Sequence, residues 1–423
     1  MSSGSSKSGS RPTDELWVEP TAPVPAAELP RCAVVILNWN GRQHLDGCFE
    51  SLAALDYPKD RLEVVLVDNG STDGSLEQMR ARHDWVRIVQ NQKNTGFSAG
   101  CNQGARAADQ PELLCFLNND MRVEPAFLMR LVGPIVRGEC EATTARILSW
   151  DGKLLNSVGG GMNFHGIGIQ RGYLEAASAE YERPCLTLFA CGGAMAMRAD
   201  VFSEVGGFDE DFFAYYEDVD LGWRTWVAGH SIRYVPEAIC YHHHSSTSQR
   251  VAPERLRVLQ VRNPLLACFK NYDDERLKQL LPAMLALAAR RAYLSAEVRD
   301  PDSYRIESLS APGRAGKKRL WTRVLRHLGR RSPGTEAVGE VGLADLVGIN
   351  DLLGQWDFWM EKRVKVQATR RRSDQEIFRL FLRPLWCIEE DYGYKELQAG
   401  LTRFLGLDEL FEGATRMHQD PKS

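Results

Sequence analysis

The chain lacks most of the short signatures that assign an enzyme at sight. None of its ten cysteines forms a C-x-x-C pair. They are scattered, several inside apolar runs (Cys115, Cys191, Cys240, Cys268), which suits buried free thiols in a reducing compartment better than a disulfide framework. The G-x-G-x-x-G turn and the G-x-x-x-x-G-K-[ST] loop are also missing, so a dinucleotide-dependent dehydrogenase and a P-loop enzyme are disfavoured. No apolar run is long enough to cross a bilayer; Leu280 to Ala289 is too short and carries Pro282. No apolar core of signal-peptide type opens the chain, so export is not expected. Charge of one sign is not in excess either, the net being -4 over 423 residues.

What is present is ordinary in bulk and uneven in detail. The length allows two or three domains and a sizeable core, and 43% hydrophobic with 26% charged residues is normal for a globular protein. Through Tyr272 there are 26 Lys+Arg against 33 Asp+Glu, and afterwards 26 against 23. The acidic first half and the absence of recognition modules argue against nucleic-acid binding. Residues 1–30 read as a disordered arm: Met1 to Arg11 is rich in Ser, Gly and Lys, and Pro20 to Pro30 in Pro and Ala.

Order is expected from Cys32. Ala33 to Leu37 and Leu113 to Leu117 are continuous apolar runs of strand length, and Leu62 to Val67 is apolar but for Glu63, as strands buried on both faces require. Helical patterns separate them: one carries Leu45, Cys48, Phe49, Leu52 and Leu55 on one face, another spans Ser75 to Arg82. Strand alternating with helix at this spacing predicts a parallel α/β sheet. The third run ends in Asn118-Asn119-Asp120. Ligands of open α/β sheets bind beyond the carboxyl ends of the strands, so this carboxylate and these amides arrive where chemistry is usually done. A plain turn is the competing reading.

Three further stretches carry a resemblance. Val35-Ile36-Leu37-Asn38-Trp39-Asn40-Gly41, Val67-Asp68-Asn69-Gly70-Ser71-Thr72-Asp73-Gly74 and Asn94-Thr95-Gly96-Phe97-Ser98-Ala99-Gly100-Cys101-Asn102-Gln103-Gly104 resemble the nucleotide-binding half of family 2 inverting glycosyltransferases. Leu117-Asn118-Asn119-Asp120 falls where that family places its D-x-D-like metal motif, with Asn118 for the first Asp as in the rhamnosyltransferase-like branch. The resemblance implies a GT-A fold, a mixed sheet flanked by helices, over residues 31–271. It implies that Asn38, Asn40, Asp68, Asn69, Gly96, Asn102, Asn118 and Asn119 bind the sugar nucleotide. Asp68 is the expected acceptor for a pyrimidine imide N–H, and Asp73 the cap of the next helix. For Asn102, bonding the diphosphate and holding the loop both stay open.

The second dense region, Ala190 to Ser248, looks like the acceptor side of the same family. Tyr215-Tyr216-Glu217-Asp218-Val219-Asp220 places acids in a first helical turn, where they would also stabilise the helix dipole. By resemblance Asp218 is the catalytic base and Glu217 orients the acceptor; Asp220 is read as an i,i+4 partner of Arg224. A strand from Ile232 to Tyr241 ends in His242-His243-His244. By register His242 completes the metal site with Asp120, His244 being the fallback, and Mn²⁺ or Mg²⁺ is the expected ion.

After Asn263-Pro264 helical periodicity takes over, and residues 272–423 read as a helical extension. Arg314 to Arg331 holds eight basic residues and no acid. Leu346, Ile349, Leu353, Trp356 and Met360 form an apolar stripe, closing in Lys362, Arg363, Lys365 and Arg370-Arg371-Arg372. Basic clusters beside aromatics fit an anionic membrane surface, and packing on the catalytic domain fits as well. The whole reads as a cytoplasmic transferase, peripheral on the inner face of the cell membrane. It would move a sugar from a UDP- or dTDP-linked donor to a glycan or lipid-linked hydroxyl in cell-surface polysaccharide synthesis. A silent glycan- or sugar-nucleotide-binding scaffold and a sugar-nucleotide pyrophosphorylase are the alternatives.

Overall fold

A computed structural model describes residues 16–243, 253–296 and 340–417. Four parallel strands begin the sheet: β1 (Cys32–Asn38), β2 (Leu62–Asp68), β3 (Arg87–Gln90) and β4 (Leu113–Asn118), side by side in the order β3-β2-β1-β4. Helices α1 (Arg42–Ala53), α2 (Ser75–Arg82) and α3 (Phe97–Ala107) make the crossovers. Alternate residues of β1 serve different layers, which is why it reads as an unbroken apolar run. Val34 and Ile36 pack with Cys48 and Phe49 of α1, whereas Val35 packs with Cys101 of α3. Helix α3 lies so close to the sheet that a Cβ on Gly104 would sit 2.3 Å from Val35. The strands are added on one side of β1 as far as β3 and then on its other side as β4, so a crevice opens at the carboxyl ends of β1 and β4.

Beyond β4 the sheet becomes mixed. A short β5 (Met121–Val123) and α4 (Phe127–Val136) lead to β6 (Ala142–Ser149), with β7 (Leu155–Ser157) against it. The glycine-rich stretch folds into the small hairpin β8 (Gly160–Met162) and β9 (Gly168–Gln170). Then come β10 (Cys185–Leu186), β11 (Ala194–Arg198), α5 (Ala199–Glu204), α6 (Glu217–Val227) and β12 (Ile232–His242). Strand β11 runs antiparallel between β4 and β6, and β12 lies parallel to β6. On its other side β12 meets β10 and then β5, and its register shifts between Val235 and Ile239, at the Pro236 interruption. That bulge lets one strand bring His242 opposite Met121, next to Asp120.

A helical layer covers one face: α7 (Pro253–Asn271), α8 (Asp274–Ser295), α9 (Glu340–Gly354), α10 (Trp356–Ala368), α11 (Asp374–Phe378) and α12 (Tyr392–Leu405). One buried cluster unites Val35, Phe116 and Trp223 with Leu280, Trp359 and Phe411, so the helices share the core of the sheet. All ten cysteines are free.

Several expectations are corrected. Residues 16–30 are no disordered arm, and residues 1–15 lie outside the described residues. Trp17 bridges to Cys185, Val24 and Leu29 are buried, and Arg137 donates to the Pro23 carbonyl at 2.8 Å. A few apolar anchors hold a proline-rich strap whose composition alone looks unfoldable; proline has already reduced the entropy lost on ordering. Helix α4, expected to break at Gly133-Pro134, runs through the pair to Val136, its last turn carrying the missing N–H of Pro134. In α9 the buried face is Ala344, Gly348, Ile349 and Leu352, while Leu346 and Leu353 of the expected stripe are exposed. Several of the basic residues beyond it turn inward, while Lys365 and Arg371 stay exposed. Lys362 pairs with Asp209 and Asp211, and the buried Arg363 donates to the carbonyls of Phe269 and Tyr272. Arg372 donates to the His230 carbonyl, 2.6 Å away. The Arg314 to Arg331 cluster lies outside the described residues.

Candidate active site

The strand ends supply the floor. The Asn38 amide nitrogen donates to Asp68 (3.2 Å), Ser71 (3.1 Å) and Ser75 (3.0 Å), and its oxygen accepts from Asn119 (2.7 Å). Asp68 accepts a second bond from the Ser71 N–H at 3.1 Å and is 1% exposed. Asn38 and Asp68 are therefore a buried brace beneath the crevice, and neither side chain lines it. Asn40 instead borders a separate polar hollow with Arg42 and Asp73, its oxygen accepting from the Thr72 N–H at 2.7 Å. Asn102 bonds both the N–H and the carbonyl of Phe208 (3.0 and 2.8 Å), which is the loop-holding role. Asp73 accepts from the N–H of Ser75 at 3.1 Å, at the start of α2.

The cleft itself has a volume of about 760 Å³, and Asn69, Gly96, Asn118, Asn119, Asp120, Glu217, Asp218 and His242 all line it. Asn69 is held from both sides: it donates to Asn94 (2.9 Å) and the Gly96 carbonyl (3.1 Å) and accepts from Thr95 N–H (3.1 Å). Gly96 sits at φ +92°, and a Cβ there would strike Phe213 at 2.6 Å. Gly96-Phe97-Ser98-Ala99-Gly100 also spells the G-x-S-x-G of serine hydrolases. Ser98 is wholly buried and its hydroxyl makes no hydrogen bond, so it is no exposed nucleophile.

On one wall, His242 Nε2 lies 3.2 Å from Asp120 Oδ1. His242 Nδ1 is 3.0 Å from the Asn156 side-chain oxygen, which accepts if Nδ1 carries the proton. That tautomer leaves the Nε2 lone pair facing Asp120, the orientation in which a histidine binds a metal. One carboxylate and one imidazole suit a hard or borderline divalent ion that takes its remaining ligands from phosphate oxygens. Among the described residues no group of three or more His, Cys, Asp or Glu is gathered, and His244 lies outside them. His243 turns away, stacked on Trp150 with ring centroids 3.7 Å apart.

On another wall α6 presents its first turn. The loop before it is strained: Phe213, Tyr215 and Tyr216 have φ of +61°, +68° and +66°. Two neighbours hold it. The Phe213 carbonyl accepts from the N–H of Phe97 at 2.6 Å, and the buried Asn263 nitrogen lies 3.0 Å from the Ala214 carbonyl and 2.7 Å from that of Tyr215. Asp218 Oδ2 accepts from the Gly192 N–H (3.1 Å) and Oδ1 from Val219 N–H (2.8 Å). Burial raises the Asp218 carboxyl, with these backbone donors working against the rise. Glu217 is 8% exposed and its Oε2 has no hydrogen-bond partner. Burial, and then the neighbouring Asp218, push its carboxyl well above the usual carboxylate range. Asp220 faces the interior, bonded to Arg224 (2.8 Å), Lys270 (2.9 Å) and Asn271 (2.9 Å).

Sequence reasoning did not single out Asn156, Gly192 or Arg255, which also borders the cleft. A lone asparagine or arginine outside any motif carries no signal. Asn263 did stand out, but as a boundary before Pro264.

Comparison with known proteins agrees with this architecture. Residues 33–206 match the model of Glycosyl transferase family 2, and residues 175–293 that of Glycosyl transferase family group 2. The chain is 30% identical over 244 residues to N-acetylglucosaminyl-diphospho-decaprenol L-rhamnosyltransferase of Mycobacterium tuberculosis, spanning 51% of this chain and 77% of that protein. It is 31% identical over 205 residues to the O-antigen biosynthesis protein RfbC of Myxococcus xanthus, 46% of this chain and 16% of that one. Among solved structures it resembles GalNAc-T7 with UDP, GalNAc and Mn²⁺ at a TM-score of 0.50 and 18% identity. That match covers 61% of this chain and about half, 51%, of the other; at this identity it speaks for the fold alone. The mixed sheet is thus of the GT-A class, and the molecule is a glycosyltransferase. The chain belongs to glycosyl transferase family 2 and is rhamnosyltransferase-like.

Proposed function

We propose that the enzyme transfers a sugar, with inversion at the anomeric carbon, from a UDP- or dTDP-linked donor to a hydroxyl of a glycan or lipid-linked acceptor in cell-surface polysaccharide synthesis. The observation that carries this reading is one cleft lined by both Asp120–His242 and Glu217–Asp218. A relative named for transfer to a diphospho-decaprenol acceptor supports the lipid-linked class. Asn118 and Asn119 are the cleft amides offered to donor hydroxyls, while Asn38, Asp68, Asn69 and Asn102 keep their loops in shape. Asp218 takes the proton of the acceptor hydroxyl as that oxygen bonds to the anomeric carbon; the bond to the diphosphate oxygen breaks and its electron pair leaves with the nucleoside diphosphate. Asp120 and His242 fit a divalent ion, Mn²⁺ or Mg²⁺, whose charge would offset that of the leaving diphosphate. The protein's own task is positioning, since holding the hydroxyl in line removes much of the entropic barrier.

Incubation with a panel of sugar nucleotides and Mn²⁺ tests this. Release of a nucleoside diphosphate, increased by a polyprenyl-diphosphate sugar, is expected. Binding without turnover under every acceptor would identify a silent scaffold, and triphosphate-dependent release of pyrophosphate a pyrophosphorylase.

We take residues 31–271 as the catalytic unit and 272–423 as its helical extension, on the inner face of the cell membrane. Support for membrane contact is confined to α9, where Val341, Leu343, Leu346, Val347 and Leu353 are exposed, and to the basic sequence from Arg314 to Arg331. No helix among the described residues is long and apolar enough to cross a membrane. Liposome sedimentation should give binding that requires anionic lipid and weakens with salt; equal recovery without anionic lipid would remove the membrane from the account.

A further inference from the structure

We propose that the Glu217–Asp218 pair holds a single proton, carried by Glu217, and that Glu217 donates a hydrogen bond to an oxygen of the acceptor sugar beside the hydroxyl that Asp218 deprotonates. This rests on reading the cleft as a glycosyl-transfer centre. The two carboxyls are neighbours in sequence but not in environment. Asp218 receives two backbone N–H bonds, from Gly192 and Val219, and backbone donors stabilise the ionised form. Glu217 is buried beside it with Oε2 unpartnered, yet it lines the cleft. A buried carboxylate oxygen left unpartnered disfavours the ionised form, whereas a neutral acid keeps a donor to offer.

Among the described residues Glu217 makes no ion pair, and of the Lys and Arg side chains only Arg255 borders the same cleft, unpaired with either acid. The ionisable groups bearing on it are Asp218 on its own helix, Cys101 of α3, and Cys191 just ahead of β11. Both thiols are buried and pushed upward, hence neutral. Lys270 of α7 and Arg224, further along α6, are already bonded to Asp220. With two acids and no cation paired to either, one proton stays, and the backbone bonds decide that Asp218 is the group without it. The base is then an anion at neutral pH, while its neighbour neither repels it with a second full charge nor competes for the acceptor proton. A filled hydrogen bond on binding also gives the orphaned Oε2 its first partner, which favours a polyhydroxyl substrate over an apolar one.

The test combines spectroscopy and kinetics on the full chain. Infrared difference spectra of wild type against E217Q at neutral pH should show a protonated-carboxyl band that the substitution removes. In transfer assays E217A should fall about tenfold or more, as for loss of a buried hydrogen bond, and E217Q, which keeps a donor, should retain several-fold more activity than E217A. Wild-type kcat/KM should decline on the alkaline side as Glu217 ionises, and that decline should be absent in E217Q. No protonated band assignable to Glu217, or E217Q as impaired as E217A with an unaltered alkaline limb, would overturn the proposal. Absence of transfer with every donor would instead refute the glycosyl-transfer reading, while the infrared comparison would still report where the proton sits.

Discussion

Replacing Lys270 by Met should loosen the joint between the catalytic half and its helical layer. Lys270 is 2% exposed, with Nζ 2.6 Å from Asp209 and 2.9 Å from Asp220. Those acids sit before and within the segment that carries Glu217 and Asp218, and Lys362 of α10 also pairs with Asp209. Removing one partner of a buried ion pair costs about 3–5 kcal/mol, because a charge is left uncompensated. Here the lower end, about 3 kcal/mol, is expected, since Asp220 keeps Arg224 and Asn271 and Asp209 keeps Lys362. Methionine matches the stem of lysine in length, so the cavity contribution is small. The pH dependence has a definite sign. Burial alone would raise the Asp209 carboxyl, but Lys270 and Lys362 outweigh it and hold the group below its ordinary value. Its contribution is therefore present above about pH 4, the unfolded carboxylate value, and is lost as the pH falls toward the folded one. Thermal melts from pH 7 to pH 3 should show K270M several degrees less stable at neutral pH, with the gap narrowing in acid. Equal melting temperatures at pH 7 would refute the assignment of this network as a structural joint.

Asp120→Ala should abolish the divalent-dependent part of nucleoside diphosphate binding by calorimetry in a folded protein; unchanged affinity in the presence of Mn²⁺ would remove Asp120 and His242 as a metal site. Asp374 offers the opposite pH sign to Asp209. Burial raises its carboxyl to about 6 despite Arg370, so the folded state binds the extra proton, and stability should rise as the pH falls from 7 toward 4. D374N should flatten that slope in denaturant melts, and a slope unchanged from wild type would count against it.

The strands were legible because burial on both faces leaves little room for polar residues: β1 and β4 read as uninterrupted apolar runs and β2 as one broken only by Glu63 at its half-buried start, each ending in Asn or Asp. Their ends pointed to the crevice, and Asp120, Glu217, Asp218 and His242 do line it. What a strand end does not reveal is which way its last side chain turns. Asp68 and Asn38 turn toward each other and the Ser71 loop, so they brace the floor that a one-dimensional pattern assigned them to line. The basic residues of α10 were equally ambiguous, since a lysine reaching buried aspartates and one reaching a lipid surface have the same sequence. Asn156 and Asn263 act through single hydrogen-bonding groups whose partners lie 86 and about 50 residues away, and no local spacing encodes that.

Asp218→Asn probes the central claim most directly, because it preserves shape and removes only the proton-accepting carboxylate. The measurement is the transfer rate with a sugar nucleotide and acceptor, alongside donor affinity and melting temperature on the same preparation. Transfer should fall by a factor of about 10² or more, with donor affinity near wild type because Asp218 is proposed to act on the acceptor, leaving the diphosphate to Asp120 and His242. If Asp218 were only a helix-terminus charge, its loss would cost roughly 0.3–1 kcal/mol of stability and little activity. A folded Asp218→Asn protein that transfers sugar at near-normal rates would contradict the account.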